Sequence, residues 1–264
     1  ELYLHPQAME QVRASLKGLS EAGYQVVFST HSPQMIPAED IKHTLLIQKN
    51  EQGTYARPTL KAAVEQVAED SKSQYNLLFS LENSNQILFS ETVVLSEGKT
   101  EKRLLPYIFE KYFGETLGQR KIAFVEQGGV NNTTKTMQVL EKMHIPCKAI
   151  VDLDFAFQGA VKQGLIDSED TAIIECKNIF KSNPDISLNN DLPTNKGNLN
   201  AAQSFEWLAT QESAKLHIQA LHDKLKEKNI WLWKLGAIEP YLGLDTNSKS
   251  EVAWLSVKQV IDDN

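Results

Sequence analysis

Apolar positions along the chain recur with two rhythms, and they divide it into successive helices and strands. From Glu10 to Ala22, Val12, Leu16 and Leu19 fall at helical spacing and Gly23 supplies a C-terminal stop, which predicts a helix. The β-branched and aromatic run Tyr24–Ser29 then predicts a buried strand. Thr44–Gln48 predicts a second strand, and Asn50–Gly53 a hairpin turn into Thr54–Arg57. From Lys61 to Ser90 the composition turns polar, with helices about Ala62–Ala68 and Gln74–Leu81, and a connector is placed there. A second alternation begins at Glu91. It runs strand (Thr92–Leu95), helix (Thr100–Phe113, with Leu104, Leu105, Ile108, Phe109 and Tyr112 on one face), strand (Lys121–Val125), helix (Asn131–Met143) and strand (Cys147–Val151). Such alternation with short links predicts an α/β fold with a mostly parallel, doubly wound sheet. Phe180–Asn200, rich in Asn, Pro, Asp and Ser, predicts a long loop. Helix follows over Ala201–Lys228, a strand over Ile230–Trp233, and short helices to the end, with no internal repeat.

Composition narrows the function classes. At 264 residues the chain has room for one large domain or two modest ones. No run approaches the ~20 apolar residues that span a bilayer, which excludes an integral membrane protein. Only Cys147 and Cys176 are present. That is too few for a disulfide framework or a structural zinc site, and it fits a reducing cytoplasm with both as small buried hydrophobes. The chain opens at Glu1 without a methionine or a leader, so it is read as a piece of a longer protein. A net charge of −7 argues against an extended basic surface for nucleic acid. It does not exclude DNA, because acids gathered at a metal site lower the net charge while bound cations reverse it locally.

The chemistry collects past the strand ends, where open parallel sheets place functional groups. Glu97 lies two residues beyond Thr92–Leu95, in Ser96-Glu97-Gly98-Lys99-Thr100-Glu101. Gly98 permits a sharp turn into the helix, whose start brings Glu101 to the same side as Glu97. Asp152 and Asp154 follow Cys147–Val151, and a spacing of two points both side chains the same way. If the two strands are neighbours, four carboxylates share a crevice and need a cation such as Mg²⁺ or Mn²⁺ to remain ionised together. Oxygen-bound divalent ions suit phosphoryl chemistry. Gly98-Lys99-Thr100 is not a phosphate-binding P-loop, since the glycine that motif needs five residues before Gly98 is Val93.

Leu95-Ser96-Glu97-Gly98-Lys99-Thr100-Glu101 followed by Asp152-Leu153-Asp154 resembles the Toprim domain shared by topoisomerases, primases and OLD (overcoming lysogenization defect) nucleases. The spacing of four between the glutamates resembles the OLD nucleases in particular. Gln127-Gly128-Gly129-Val130-Asn131 also looks like that family, and a plain tight turn reads it equally well. Glu1-Leu2-Tyr3-Leu4-His5-Pro6-Gln7 resembles the stretch after the Walker B acids of an ABC-type ATPase, and Ser29-Thr30-His31-Ser32-Pro33 its switch-histidine motif. Walker A, signature motif and Walker B aspartate are missing, so the chain is not expected to hydrolyse ATP by itself. Trp231-Leu232-Trp233-Lys234-Leu235-Gly236-Ala237-Ile238-Glu239 is similar to the Lys-x-Gly-x-x-Glu segment of class 2 OLD nucleases, the type found in the Gabija anti-phage system.

The resemblance implies the end of an ABC ATPase domain over 1–60, a helical connector over 61–90, and a Toprim nuclease domain over 91–264 with a helical insertion at about 200–228. It implies two Mg²⁺ or Mn²⁺ ions held by Glu97, Glu101, Asp152, Asp154 and Glu239, with Glu97 alternatively a general acid or base and Lys234 a transition-state stabiliser. Glu239 also reads as an acid in a helix's first turn, suited to the helix dipole. His31 would belong to an incomplete ATP site, completed only in a full-length protein. DNA is the implied substrate, with phage defence or DNA repair as the setting. A homodimer or higher oligomer and a UvrD-like helicase are the implied partners. Two other readings stay open: a topoisomerase or primase built on the same core, and a non-catalytic assembly module with inert acids.

Overall fold

Val93 and Leu95 have no solvent exposure, because they point into the main core from β3 (Thr92–Ser96), a strand paired on both edges. The computed structural model describes residues 4–36, 40–67, 84–126, 133–245 and 249–263. Within them a four-stranded, wholly parallel sheet runs in the order β4–β3–β5–β8, with β4 at Ile122–Glu126, β5 at Cys147–Val151 and β8 at Ile230–Leu232. Val93 stands opposite Ala123 on one side and Cys147 on the other, and Val151 pairs with Leu232. The strand order reverses at β3: the chain goes first to β4 on one side, then returns past β3 to β5. The crevice between β3 and β5, at their carboxyl ends, is therefore the topological switch point where α/β sheets bind ligands.

Right-handed crossovers to opposite sides of β3 put their helices on opposite faces of the sheet. Helix α4 (Lys99–Phe113) follows β3 and packs against α10 (Glu251–Asp262) through a small core of Leu104, Trp254 and Val257. Helix α5 (Thr133–Lys142) follows β4 and packs beside α2 (Leu60–Glu65) in the main core, where Val139 and Leu140 meet Ala63 and Val64. That core also takes in Ile36, Ile41 and Leu60, so residues ahead of position 61 share a buried cluster with the sheet.

The N-terminal pattern is met in part. Helix α1 (Pro6–Glu21) starts with Pro6 in its first turn, where a missing N–H costs nothing. A hairpin of β1 (Ile47–Asn50) and β2 (Gly53–Ala56) follows the expected turn. The strand expected at Tyr24–Ser29 does not form: Tyr24, Val27 and Phe28 are 66%, 88% and 48% exposed and the segment pairs with no other among the described residues. An apolar β-rich run becomes a strand only where a neighbour completes its ladder. A short helix α3 (Ser84–Leu88) leads into β3. The helix expected at Gln74–Leu81, all of Gln127–Asn131 with its glycines, and Glu1–Tyr3 lie outside the described residues.

The C-terminal half departs from expectation in two places. Within Phe180–Asn200, expected to be all loop, α7 (Thr171–Lys181, after α6 at Gly159–Lys162) reaches Lys181, and β6 (Leu188–Asn189) and β7 (Leu192–Pro193) form a small hairpin. The single helix expected at Ala201–Lys228 is two, α8 (Ala201–Thr210) and α9 (Glu212–Lys226), broken where Gln211 turns extended. The break lets two apolar stripes point in different directions. Phe205 and Leu208 of α8 go to the main core beside α7 and β7, while Ile218, Leu221 and Leu225 carry α9 across α7 and β8. No Gly or Pro marks the turn; burial of both faces imposes it. The 200–228 segment is thus the crossover that delivers β8 to the sheet. No helix among the described residues is long and apolar enough to cross a membrane. Cys176 is buried and Cys147 partly so, both free, with burial pushing both thiols up to about 12.

Candidate metal centre at the β3–β5 crevice

Both acidic pairs emerge at the switch point because β3 and β5 are neighbours in register. Glu97 leaves β3 and its Oε2 accepts the backbone N–H of Asp152 at 3.2 Å, bridging the two strand ends. Asp154 sits in the first turn of the 3-10 helix Leu153–Ala156, close enough for its charge to act on Glu97. Glu101, in the first turn of α4, is only 3% exposed. Its Oε1 accepts the indole N–H of Trp233 at 3.0 Å, just beyond the end of β8. Gly98 makes this approach possible: a Cβ there would stand 2.9 Å from Glu101 Oε2.

Glu239 joins the same group from the C-terminal side. It is 2% exposed, and its Oε1 accepts the hydroxyl of buried Thr100 at 2.7 Å. Its charge raises the proton affinity of both Glu101 and Asp152. Lys249, half exposed, approaches Glu239 Oε1 at 3.8 Å. The field of Lys249 also lowers the proton affinity of Glu97, Glu101 and Asp154, against larger opposing effects. Lys234 is placed otherwise: its Nζ donates to Gln219 Oε1 on α9 at 2.8 Å. There it adds to the burial that lowers the pKa of His222, whose Nδ1 accepts the Leu232 N–H at 3.3 Å. The structure therefore brings together Glu97, Glu101, Asp152, Asp154 and Glu239, and holds Lys234 against α9. His31 is exposed, beside a turn in which Thr30 Oγ1 accepts the Ser32 N–H at 2.9 Å, far in sequence from these acids.

Sequence reasoning missed Lys249, Trp233 and Thr100. The tryptophan stood inside a motif already singled out, but nothing in its spacing announced a donor to Glu101. Gly236, in the same motif, has a backbone requirement. It sits at φ +106 with its carbonyl accepting the Leu153 N–H at 2.7 Å, and a Cβ there would lie 3.1 Å from the Glu206 backbone. Gly236→Ala is expected to cost about 1–3 kcal/mol from the strained backbone alone, read as a lowered midpoint in urea unfolding. An unchanged midpoint would show that the turn relaxes freely.

Electrostatics decide what the centre needs. Burial, then the Asp154 charge, pushes Glu97 up to about 8. Burial, then Glu97, raises Asp152 well above the usual carboxylate range, and burial raises Glu101 and Asp154. Two like charges ~8 Å apart at an effective dielectric near 20 repel by about 2 kcal/mol. Several such pairs would consume much of a typical domain's margin of ~5–15 kcal/mol. The acids must therefore share protons or cations. Asp152 Oδ1 and Asp154 Oδ1 are buried with no hydrogen-bond partner, which is the condition of oxygens awaiting one. Among the described residues no group of three or more His, Cys, Asp or Glu side chains stands at metal-holding distances as the side chains are placed. Mg²⁺ does not ask for one: it keeps several waters and takes one or two carboxylates plus substrate phosphate. The all-oxygen donor set fits such an ion.

Comparison with known proteins gives a family match and a relative. Residues 88–154 match the family described as "Overcoming lysogenization defect protein-like, TOPRIM domain". The matched span runs from Leu88, at the end of α3, to Asp154 and contains both acidic pairs. The Old nuclease of Escherichia phage P2 is 33% identical over 270 residues, covering all of this chain and 45% of that protein. The chain thus spans about half the length of that relative.

Proposed function

Since the chain belongs to the OLD family and folds its Toprim region around one acidic crevice, we propose that it is the nuclease portion of a metal-dependent DNA endonuclease. The observation that carries this reading is the pair of buried, unpartnered oxygens on Asp152 and Asp154 at the switch point, with Glu97 bridging the two strands. The donor set belongs to hard divalent cations, and the phage relative, itself a nuclease, points the same way.

In this reading Glu97, Glu101, Asp152 and Asp154 hold Mg²⁺ or Mn²⁺, with Glu239 beside them. When bound, such ions lower the pKa of water and offset charge on a phosphodiester in line with it. The chain's own residues do the rest. Asp152 and Asp154, on a strand end and a short 3-10 turn, place rigid oxygens on one wall. Glu97 is held beside Asp152 by the Asp152 N–H; alternatively to holding a cation, it acts as the general acid or base. Lys249 supplies positive charge for the phosphate from the rim, and Lys234 would do so on leaving its anchor on Gln219. The proposal extends to the domain plan: an ABC ATPase end over 1–60 with His31 as switch histidine, a connector, and ATP control in a longer protein that acts on DNA in phage defence or repair as a dimer or higher oligomer, with a UvrD-like helicase as partner.

The reading is tested on supercoiled plasmid. The chain is expected to nick it with Mg²⁺ or Mn²⁺, to stop in excess EDTA, and to resume when Mn²⁺ is restored. Cutting that continues undiminished in EDTA, after the protein has been stripped of metal, would overturn it.

A further inference from the structure

Trp233 is the residue this centre uses that no motif explains. It lies one residue past β8, where its backbone N–H donates to the Val151 carbonyl at 2.9 Å and continues the pairing with β5. Its ring rests on Tyr241, with centroids 5.2 Å apart, so the indole is held from both ends. From that position its N–H reaches Glu101 Oε1 at 3.0 Å, across 132 residues of sequence. The indole N–H is a donor only. It cannot serve as a metal ligand, nor can it accept from a protonated carboxyl.

The two oxygens of Glu101 are consequently unlike. Oε1 is engaged by the indole, while Oε2 lies over Gly98, where a side chain would crowd it. We propose that Trp233 is a positioning residue of the metal centre: its indole N–H holds Glu101 by one oxygen and leaves the other as a single-oxygen ligand for a divalent cation. This rests on the metal-dependent reading above. The physical reason is that a buried carboxylate free to rotate presents its oxygens to a cation only part of the time, whereas a fixed one has already lost that freedom. Outer hydrogen-bond partners of metal ligands typically contribute about 10–100-fold in affinity. Because Trp233 sits at the β8 end and Glu101 at the start of α4, the bond also ties the last strand of the sheet to the first glutamate pair.

Trp233→Phe keeps the ring against Tyr241 and removes only the donor. Calorimetry with Mn²⁺ is expected to show about a tenfold rise in Kd for this variant. Plasmid nicking should fall at limiting Mn²⁺ and recover at saturating Mn²⁺. Trp233→Phe combined with Glu101→Gln should bind no more weakly than Glu101→Gln alone. An unchanged Kd in folded Trp233→Phe, with Glu101→Gln clearly weakened, would overturn the role of Trp233 while leaving the metal centre standing. If Glu101→Gln and Asp152→Asn also bind Mn²⁺ like the parent, it is the metal centre itself that fails. Should Trp233→Phe not fold, the parent protein supplies the test through its indole ¹H–¹⁵N signals. One of them should move on Mg²⁺ addition and stay put in Glu101→Gln; no indole signal responding to Mg²⁺ in the parent would sink the proposal.

Discussion

Asp152→Asn will reduce metal-dependent plasmid nicking by about a thousandfold or more, and Glu97→Gln will do the same, while both proteins remain folded. Asp152 is central to the crevice: its backbone N–H holds Glu97 and one of its oxygens is buried with no partner. An amide in its place is nearly the same size but carries no charge for a cation. Losing about 4 kcal/mol of the several kcal/mol that cation-centred charge stabilisation supplies corresponds to roughly three orders of magnitude in rate. Folding should survive because each change removes a repelling charge from a group whose members already raise one another's proton affinity. The measurement is single-turnover nicking at saturating Mn²⁺, with circular dichroism beside it. A variant that cuts within a few-fold of the parent would remove that residue from the metal centre.

Without divalent cations, the chain will lose stability as pH rises from about 5 to 8, and added Mn²⁺ will restore more of it at pH 8 than at pH 6. Glu97 titrates at about 8 in the folded chain, against an ordinary value of 4.5. Asp152, Asp154 and Glu101 are raised as well. A group raised in this way binds its proton more tightly folded than unfolded. Its contribution is therefore fully present below the ordinary value and is lost as pH climbs through the folded value. For Glu97 that window is about 4.5 to 8. For Glu97 alone the loss should be on the order of 3–4 kcal/mol, or about 6–15 °C in Tm for a chain of this size. A cation reverses the requirement, since its ligands must be deprotonated, and at pH 8 it has fewer protons to displace. At a hundredfold excess over Kd it should return about 2.7 kcal/mol. Thermal melts at pH 6 and pH 8, with EDTA or with Mn²⁺, measure both effects. A Tm in EDTA that is level or rising between pH 6 and 8 would contradict the shared-proton picture, and Asp152→Asn should flatten the slope.

The parts read correctly from sequence share a property: their signal is local. The strands at Thr92–Ser96, Ile122–Glu126 and Cys147–Val151, with α4 between the first two, follow from short periodic runs whose partners lie within some fifty residues. Glu97 with Glu101 and Asp152 with Asp154 are spaced by two to four positions, and a strand end or a first helical turn is enough to aim them. The elements misread depend on distant partners. Tyr24–Ser29 has the composition of a strand but no paired neighbour among the described residues. Gln211 breaks a continuous helical pattern because α8 and α9 enter the same core against different neighbours, α8 beside β7 and α9 across α7 and β8.

By itself, then, the amino-acid order determined an α/β chain with two acidic pairs at strand ends, since strand periodicity and short spacing act within a few residues. Only the tertiary structure decided that β3 and β5 are neighbours, which turns two pairs into one crevice. It also decided that Glu239 and Trp233 reach that crevice from more than 130 positions away, through Thr100 and Glu101. Lys234, which its motif implied for the chemistry, rests on Gln219, while Lys249 extends toward the acids. Such contacts are set by strand order and crossover handedness, and those follow from how the whole chain buries its apolar faces.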